Sequence, residues 1–247
     1  MGLFKVVFRK VLLPFTLLLS AGSVFSADNG VEELKAALAT HMPNVSINAV
    51  SESMIPGLYE VIVGSQVVYM DKNARYMLNG DLIDLSTRKN LTEGAKSGIR
   101  LASMNKLNEK DMLVYTPRQV DHTITVVTDI DCPYCRRLHS EMDQYMAGNV
   151  KVRYIFMPLK GPADFDKTVS VWCSKDKNKA LDSAKRGENL ESLSCDNPIK
   201  QHLAIAREIG IRGTPAIILE SGELLPGYVE ASELIKEISK QQAALAN

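Results

Sequence analysis

The stretch Ile124-Thr125-Val126-Val127-Thr128-Asp129-Ile130-Asp131-Cys132-Pro133-Tyr134-Cys135 decides the fold. Its first part is an apolar, β-branched run that predicts a strand. Its end opens a segment of helical character, residues 133–146, with Pro133 at the first turn, where no amide hydrogen is wasted. Two cysteines spaced as Cys-X-X-Cys, where a strand gives way to a helix, can exchange disulfides. The unpaired amides and the dipole of a helix start favour a thiolate, the attacking species in that exchange. Cys132 is therefore expected to be the exposed attacker with a lowered pKa. Cys135 lies one turn on and on the same face. It is expected to be more buried and to attack Cys132 when a mixed disulfide must be released. The same spacing is half of a zinc site, and His139 stands four residues beyond Cys135. No second Cys-X-X-Cys and no His-X-X-X-His completes a tetrahedral set. No metal and no cofactor is expected, and His139 reads as a solvated or packed helix residue.

Upstream, residues 1–27 read as a secretory signal: a positive start (Lys5, Arg9, Lys10), a short apolar core over 11–19 and a small-residue exit over 20–27. The core is far shorter than the ~20 residues of a membrane span. Cleavage after Ser26 or Ser23 suits the small-residue preference better than cleavage after Ala27, which places Phe25 badly. The 247-residue chain carries 29 basic and 29 acidic residues, so its charge gives no nucleic-acid footprint. Removing 1–27 leaves 26 basic against 29 acidic residues, net −3, an excess that decides little. All four cysteines lie in the exported part, bound for a compartment where disulfides persist. They allow three pairings. Cys173 and Cys195 enclose a polar, lysine-rich segment. A bridge between them would close a loop of about 23 residues and stabilise by roughly 3 kcal/mol; the alternative is a second redox pair.

Residues 28–90 contain no cysteine and read as a helix over 31–41, stopped by Pro43, then short strands over 46–50, 58–63, 66–70, 75–78 and 82–85. Gly64-Ser65, Asp71-Lys72-Asn73 and Asn79-Gly80 are the turns of this antiparallel meander. About 60 residues make a small core, and such a unit gains by pairing a sheet edge with a second copy. Residues 91–108 read as a linker helix with Leu91, Ala95, Leu101 and Ala102 available for one stripe, and with Asn90 and Glu93 spaced as a capping box. The alternative is a helix packed on the second domain. Beyond it come a strand over 124–127, a helix over 133–146, a strand over 150–157, and helices over 167–172 and 177–185. A helix started by Asn197-Pro198 and closed by Gly210 follows, then a hairpin of 216–219 with 224–225, and a helix over 231–245. That order is thioredoxin-like, and near such a pattern Cys-X-X-Cys reads as a redox motif. Thr214-Pro215 precedes the hairpin, where a proline can be cis and hold a tight turn against the cysteine pair.

Four segments together resemble the DsbC/DsbG family of periplasmic disulfide isomerases: Thr128-Asp129-Ile130-Asp131-Cys132-Pro133-Tyr134-Cys135; Val171-Trp172-Cys173-Ser174-Lys175-Asp176-Lys177-Asn178-Lys179-Ala180; Ser194-Cys195-Asp196; and Gly213-Thr214-Pro215-Ala216. The likeness spans nearly all of the chain after the signal and is strongest from residue 111 onward. It implies an α+β fold: an N-terminal cystatin-like dimerisation domain (28–90), a helical linker (91–111) and a C-terminal thioredoxin-like domain with a helical insertion (112–247). It implies that Thr214 and a cis Pro215 face Cys132 and Cys135, and that Cys173–Cys195 is a structural bridge. It also implies a V-shaped periplasmic homodimer, misoxidised exported proteins as substrates, chaperone-like client binding, and a DsbD-like membrane thiol reductase as electron donor. The expected activity is that of a thiol–disulfide isomerase or reductase. The alternatives are a DsbG-like reductase protecting single cysteines, and a dimeric holdase. Pro133 stands where isomerases of this family usually carry Gly, and Pro-Tyr is more typical of DsbG; the second cysteine pair is typical of DsbC. Val126 stands where thioredoxin has a buried acid, so proton management falls to Asp129, Asp131 or water, unless those acids are solvated turn residues. Tyr134, an exposed aromatic beside the attacker, either contacts unfolded substrate or packs locally.

Overall fold

A computed structural model describes residues 29–245, besides Gly2; the expected signal segment lies outside the described residues. Helix α1 (Gly30–His41) turns Leu34 and Leu38, one helical turn apart, onto the inner face of a four-stranded antiparallel sheet. Its strands are β1 (Ala49–Glu52), β2 (Tyr59–Val63), β3 (Gln66–Met70) and β4 (Met77–Leu78), in that spatial order. Tyr59, Val61, Val68 and Met70 complete this small core. The fourth strand is shorter than expected because the amides of Arg75 and Tyr76 donate to the carboxylate of Asp71 at 2.9 and 2.7 Å, which holds that stretch in a turn. A separate two-stranded ribbon, β5 (Ile83–Asp84) with β6 (Lys89–Asn90), leads into the next helix.

Helix α2 (Leu91–Met104) starts as its sequence suggests: the side chain of Asn90 accepts from the amide of Glu93 at 2.9 Å. Its buried face is not the expected stripe of Leu91, Ala95, Leu101 and Ala102 but Met104 with a polar set, Thr92, Ser97, Arg100 and Ser103. These groups tie α2 at both ends. Thr92 bonds the hydroxyl of Tyr69 at 2.6 Å, on the first sheet. Arg100 pairs with Glu93 and donates to the carbonyl of Gly222 at 3.0 Å, and Ser103 donates to Glu208 at 2.8 Å. Gly222 has φ +82°, and a Cβ there would lie 2.5 Å from the carbonyl oxygen of Ser97, so only glycine permits the approach. The helix packs on the second unit because its polar side chains find partners there.

A 3₁₀ turn (Glu109–Asp111) leads to the larger unit. Its elements are β7 (Leu113–Tyr115), β8 (His122–Thr128), α3 (Pro133–Ser140), α4 (Met142–Ala147), β9 (Val150–Phe156), α5 (Pro162–Cys173), α6 (Lys177–Lys185), α7 (Ile199–Glu208), β10 (Ala216–Ile218), β11 (Leu224–Pro226) and α8 (Ala231–Leu245). The sheet order is β11-β10-β8-β9-β7, with β8 and β9 parallel and the other pairs antiparallel. Side chains alternate across β8. Ile124 and Val126 face the cluster of Leu138, Tyr145, Leu181 and Leu234, while Val127 faces Ile205, Ile209 and Ile218. The central strand is covered on both sides, as a parallel pair requires. The single helix expected over 133–146 is two. The break at Glu141 frees its carboxylate to accept from the hydroxyl of Tyr228 and, at 2.8 Å, from the amide of Ala231 at the start of α8.

Candidate active site

Strand β8 ends at Thr128, and four residues later α3 begins with Cys132 as its N-cap and Pro133 at the first turn. Asp129 shapes that connection. Its buried carboxylate accepts from the amide of Asp131 at 2.7 Å and of Leu159 at 3.1 Å. Asp131 is held by Lys167 and Arg136, both at 2.6 Å. Burial pushes its carboxyl up, but these two cations outweigh it and keep the pKa below the usual range. Neither acid is the solvated turn residue that a sequence reading allows: both are consumed in ordering the loop.

The antiparallel pairing of β10 with β8 sets Ala216 opposite Val127, so Thr214 and Pro215 arrive beside the end of β8 and the cysteine loop. The Thr214–Pro215 peptide is cis. Cys132, Cys135, Thr214 and Pro215, more than 80 residues apart in sequence at their extremes, are thereby brought together. Both thiols of the Cys-X-X-Cys pair are free. As a thiol, Cys132 donates to the carbonyl of Thr214 at 3.3 Å. Burial pushes its pKa up, but hydrogen bonds from Cys135, the Thr214 side chain and the amide of Tyr134 outweigh it and leave the pKa below the ordinary thiol value. Cys135 is 1 % exposed. Its burial wins over the lowering effects of Lys185, the Asp129 backbone, Thr128 and Thr214, so its pKa is raised. The two sulfurs are thus separated in reactivity by position alone: the partly open one favours the thiolate and the buried one the thiol. This arrangement can attack an external disulfide with Cys132 and release the product with Cys135.

Pro133 and Tyr134 lie on the exposed side. Tyr134 is 61 % exposed, yet its ring is stacked with that of Tyr228 at a centroid distance of 6.5 Å, so it is open to solvent and locally packed at once. Cys173 and Cys195 are bonded to each other, with their Cα atoms 5.7 Å apart. His139 belongs to a polar chain. Its Nε2 donates to Asp182 at 2.9 Å, its Nδ1 accepts from the hydroxyl of Tyr154 at 3.1 Å, and Tyr115 also donates to Asp182, at 2.6 Å. Burial, with the charge of Lys185, holds His139 down to about 4, so its contact with Asp182 is a neutral hydrogen bond rather than an ion pair.

Sequence reasoning missed Lys185. Its ammonium is buried behind the site and donates to the hydroxyl of Thr128 at 2.8 Å and the carbonyl of Asp129 at 2.7 Å. The only signal available was a lysine ending an otherwise amphipathic helix, which normally reads as a solvated residue at a helix C-terminus.

A family model described as a thioredoxin-like domain matches residues 109–242, and one for the N-terminal domain of disulfide bond isomerase proteins matches 25–93. The chain is 33% identical over 238 residues to the thiol:disulfide interchange protein DsbC of Escherichia coli, covering 95% of this chain and 97% of that protein. It is 34% identical over 237 residues to the DsbC of Salmonella typhimurium, with coverages of 95% and 97%. Among solved structures, a disulfide interchange protein from Neisseria gonorrhoeae is 25% identical with a TM-score of 0.48, covering 53% of this chain and 97% of that one. Two successive family models over the two structural units, and relatives similar along almost the whole length, place the chain in the DsbC family of thiol:disulfide interchange proteins.

Proposed function

We propose that the protein is a periplasmic thiol–disulfide isomerase and reductase that corrects wrong disulfides in exported proteins. The observation that carries this reading is the division between Cys132 and Cys135 at one helix start, beside Thr214 and Pro215. Cys132 attacks a client disulfide as the thiolate. The mixed disulfide is resolved by another client thiol, which isomerises, or by Cys135, which reduces. A groove of about 360 Å³ running from Gly210 past Pro215 to Gly227 offers an extended client segment a place beside the attacker. Turnover in the reductive direction needs the pair to be re-reduced, the role assigned to a membrane thiol reductase. The expected result with Cys132→Ser is loss of reactivation of a scrambled multi-disulfide substrate; unimpaired reactivation would sink the reading.

The chain acts as a homodimer in this proposal. The edge strand β4 presents Met77 and Leu78, each 58% exposed, next to Tyr76 at 62%, an apolar edge suited to pairing with a second copy. Light scattering on the exported form should give twice the chain mass, and a monomer at micromolar concentration would contradict it. Pro133 supports a second reading, reduction of sulfenylated single cysteines. Comparing rates on a sulfenylated client and on a scrambled disulfide separates the two.

A further inference from the structure

The position that a thioredoxin fills with a buried acid is Val126 here, fully buried and without a proton to give. Cys135 is just as deeply buried and must lose a proton before it can attack. Lys185 ends α6 and is 4% exposed. Burying an ammonium is costly unless its hydrogen bonds are met inside. Two of them are met by the residues leading into the cysteine loop, the Thr128 hydroxyl and the Asp129 carbonyl. The Thr128 side chain and the Lys185 charge both favour the Cys135 thiolate against its burial, so the hydroxyl that accepts from the lysine nitrogen at 2.8 Å also acts on the buried sulfur. On its other side Lys185 lines a cavity of about 400 Å³ with Arg136, His139 and Asp182, rimmed by the exposed Asp143 and Arg186. The residues of that cavity differ from those of the groove beside Pro215.

We propose that Lys185 is the positioning residue that takes up the proton of Cys135, through the Thr128 hydroxyl, and passes it to water when Cys135 resolves a mixed disulfide. The proposal rests on the exchange roles of Cys132 and Cys135 given above. With a client sulfur bonded to Cys132, the Cys135 thiol passes its proton to the Thr128 oxygen as Thr128 passes its own to the neutral amine of Lys185. The Cys135 thiolate attacks the Cys132 sulfur. The Cys132–Cys135 bond forms, the Cys132–client bond breaks, and the electron pair leaves on the client sulfur, which takes up a proton from solvent. The cysteine pair ends oxidised and the client sulfur reduced. Lys185 then loses its proton to water in the cavity.

The surroundings suit an amine that changes charge near neutral pH. Burial lowers the pKa of Lys185 most; Cys135, Asp129 and Cys132 favour its charged form and Arg136 opposes it, leaving it at about 8. His139, which shares the cavity, stays neutral, and Asp182 is occupied by His139 and Tyr115.

The test separates the two chemical steps on the full exported chain. Attack by Cys132 on oxidised glutathione is followed in a Cys135→Ser background, and resolution is followed as loss of the Cys132–glutathione mixed disulfide, both across pH. Lys185→Met is expected to slow resolution roughly tenfold at neutral pH, the effect of moving the Cys135 pKa by about one unit, while changing attack less than about twofold. Lys185→Arg keeps the charge but cannot take up a proton; it is expected to erase the break near pH 8 from the resolution profile. A folded Lys185→Met with the parent's resolution rate and profile overturns the proposal. So does a Lys185→Arg that retains the break, which decides the matter if the methionine variant does not fold. Failure of the parent chain to form the mixed disulfide at Cys132 would instead overturn the exchange reading itself.

Discussion

Two cysteine pairs sit in the same unit and have opposite fates. Cys132 and Cys135 are free thiols three residues apart; Cys173 and Cys195 are bonded across a sequence separation of 22. The first pair is surrounded by groups that tell thiol from thiolate: helix-start amides, the Thr214 side chain, the Thr128 hydroxyl and the buried Lys185. The second joins the end of α5, packed on the core at Cys173 and Trp172, to the exposed segment before α7. Between its two sulfurs lies α6, the helix that delivers Asp182 and Lys185 to the rear of the first pair. The bridge and the free pair thus border the same helix. Reactivity is a property of what surrounds a sulfur, while a bridge matters through the chain it confines.

The strongest way to break this contrast is to remove the bridge. Cys173→Ser with Cys195→Ser should lower the free energy of unfolding by about 3 kcal/mol on the chain-entropy estimate, seen as an earlier denaturant midpoint. The Cys132 thiolate, followed by its ultraviolet absorbance, should stay where it was. A large shift of that titration with no loss of stability would reverse the assignment of the two regions.

A smaller effect comes from the bridged region's neighbour His202, whose ring meets Trp172 edge-on at 6.1 Å. Its Nδ1 accepts from the amide of Phe156 at 3.2 Å and its Nε2 donates to the carbonyl of Asp111 at 2.7 Å, so a second proton must break the bond to Phe156. Burial holds its pKa down to about 4, against 6.5 for a free histidine. Between those values the unfolded chain binds more protons. The stability from keeping His202 neutral is therefore complete above about pH 6.5 and is lost as pH falls toward 4. From about pH 7 to about pH 5 the loss due to His202 is about 2 kcal/mol. Denaturant midpoints at the two values measure it, and His202→Gln should flatten the dependence; an unchanged slope would remove His202 from the account.

The smallest expected effect sharpens the active region. Tyr134→Ala leaves the core untouched and should not shift the denaturant midpoint by more than about 0.5 kcal/mol. Exchange with a small disulfide should be unchanged, while exchange with an unfolded protein client falls roughly twofold, the share of one exposed aromatic contact. Equal slowing on both substrates would mean that Tyr134 serves the loop and not the client.

Much of the frame was legible because it is written in local patterns. Helices α6 and α8 span the residues their periodicity suggests, and Asn90 caps α2 as its spacing with Glu93 predicts. Local patterns failed where a distant partner competed for the same atoms. Asp71 took the amides expected for a longer β4, and Glu141 left its helix for Tyr228 and the start of α8. The face of α2 was misread for the same reason: Arg100 and Ser103 are buried because Gly222 and Glu208 receive their hydrogen bonds.

From sequence alone came the strand-to-helix junction at Cys132, the order of elements behind a thioredoxin-like unit and the need for a smaller unit before it. These follow from short-range rules of backbone geometry and burial, which neighbouring residues suffice to satisfy. Tertiary structure alone decided which groups stand around each sulfur. Lys185 lies 50 residues beyond Cys135, and only the packing of α6 against the end of β8 makes it a neighbour. Charges act through space, and the cost of burying one depends on partners that no local pattern names.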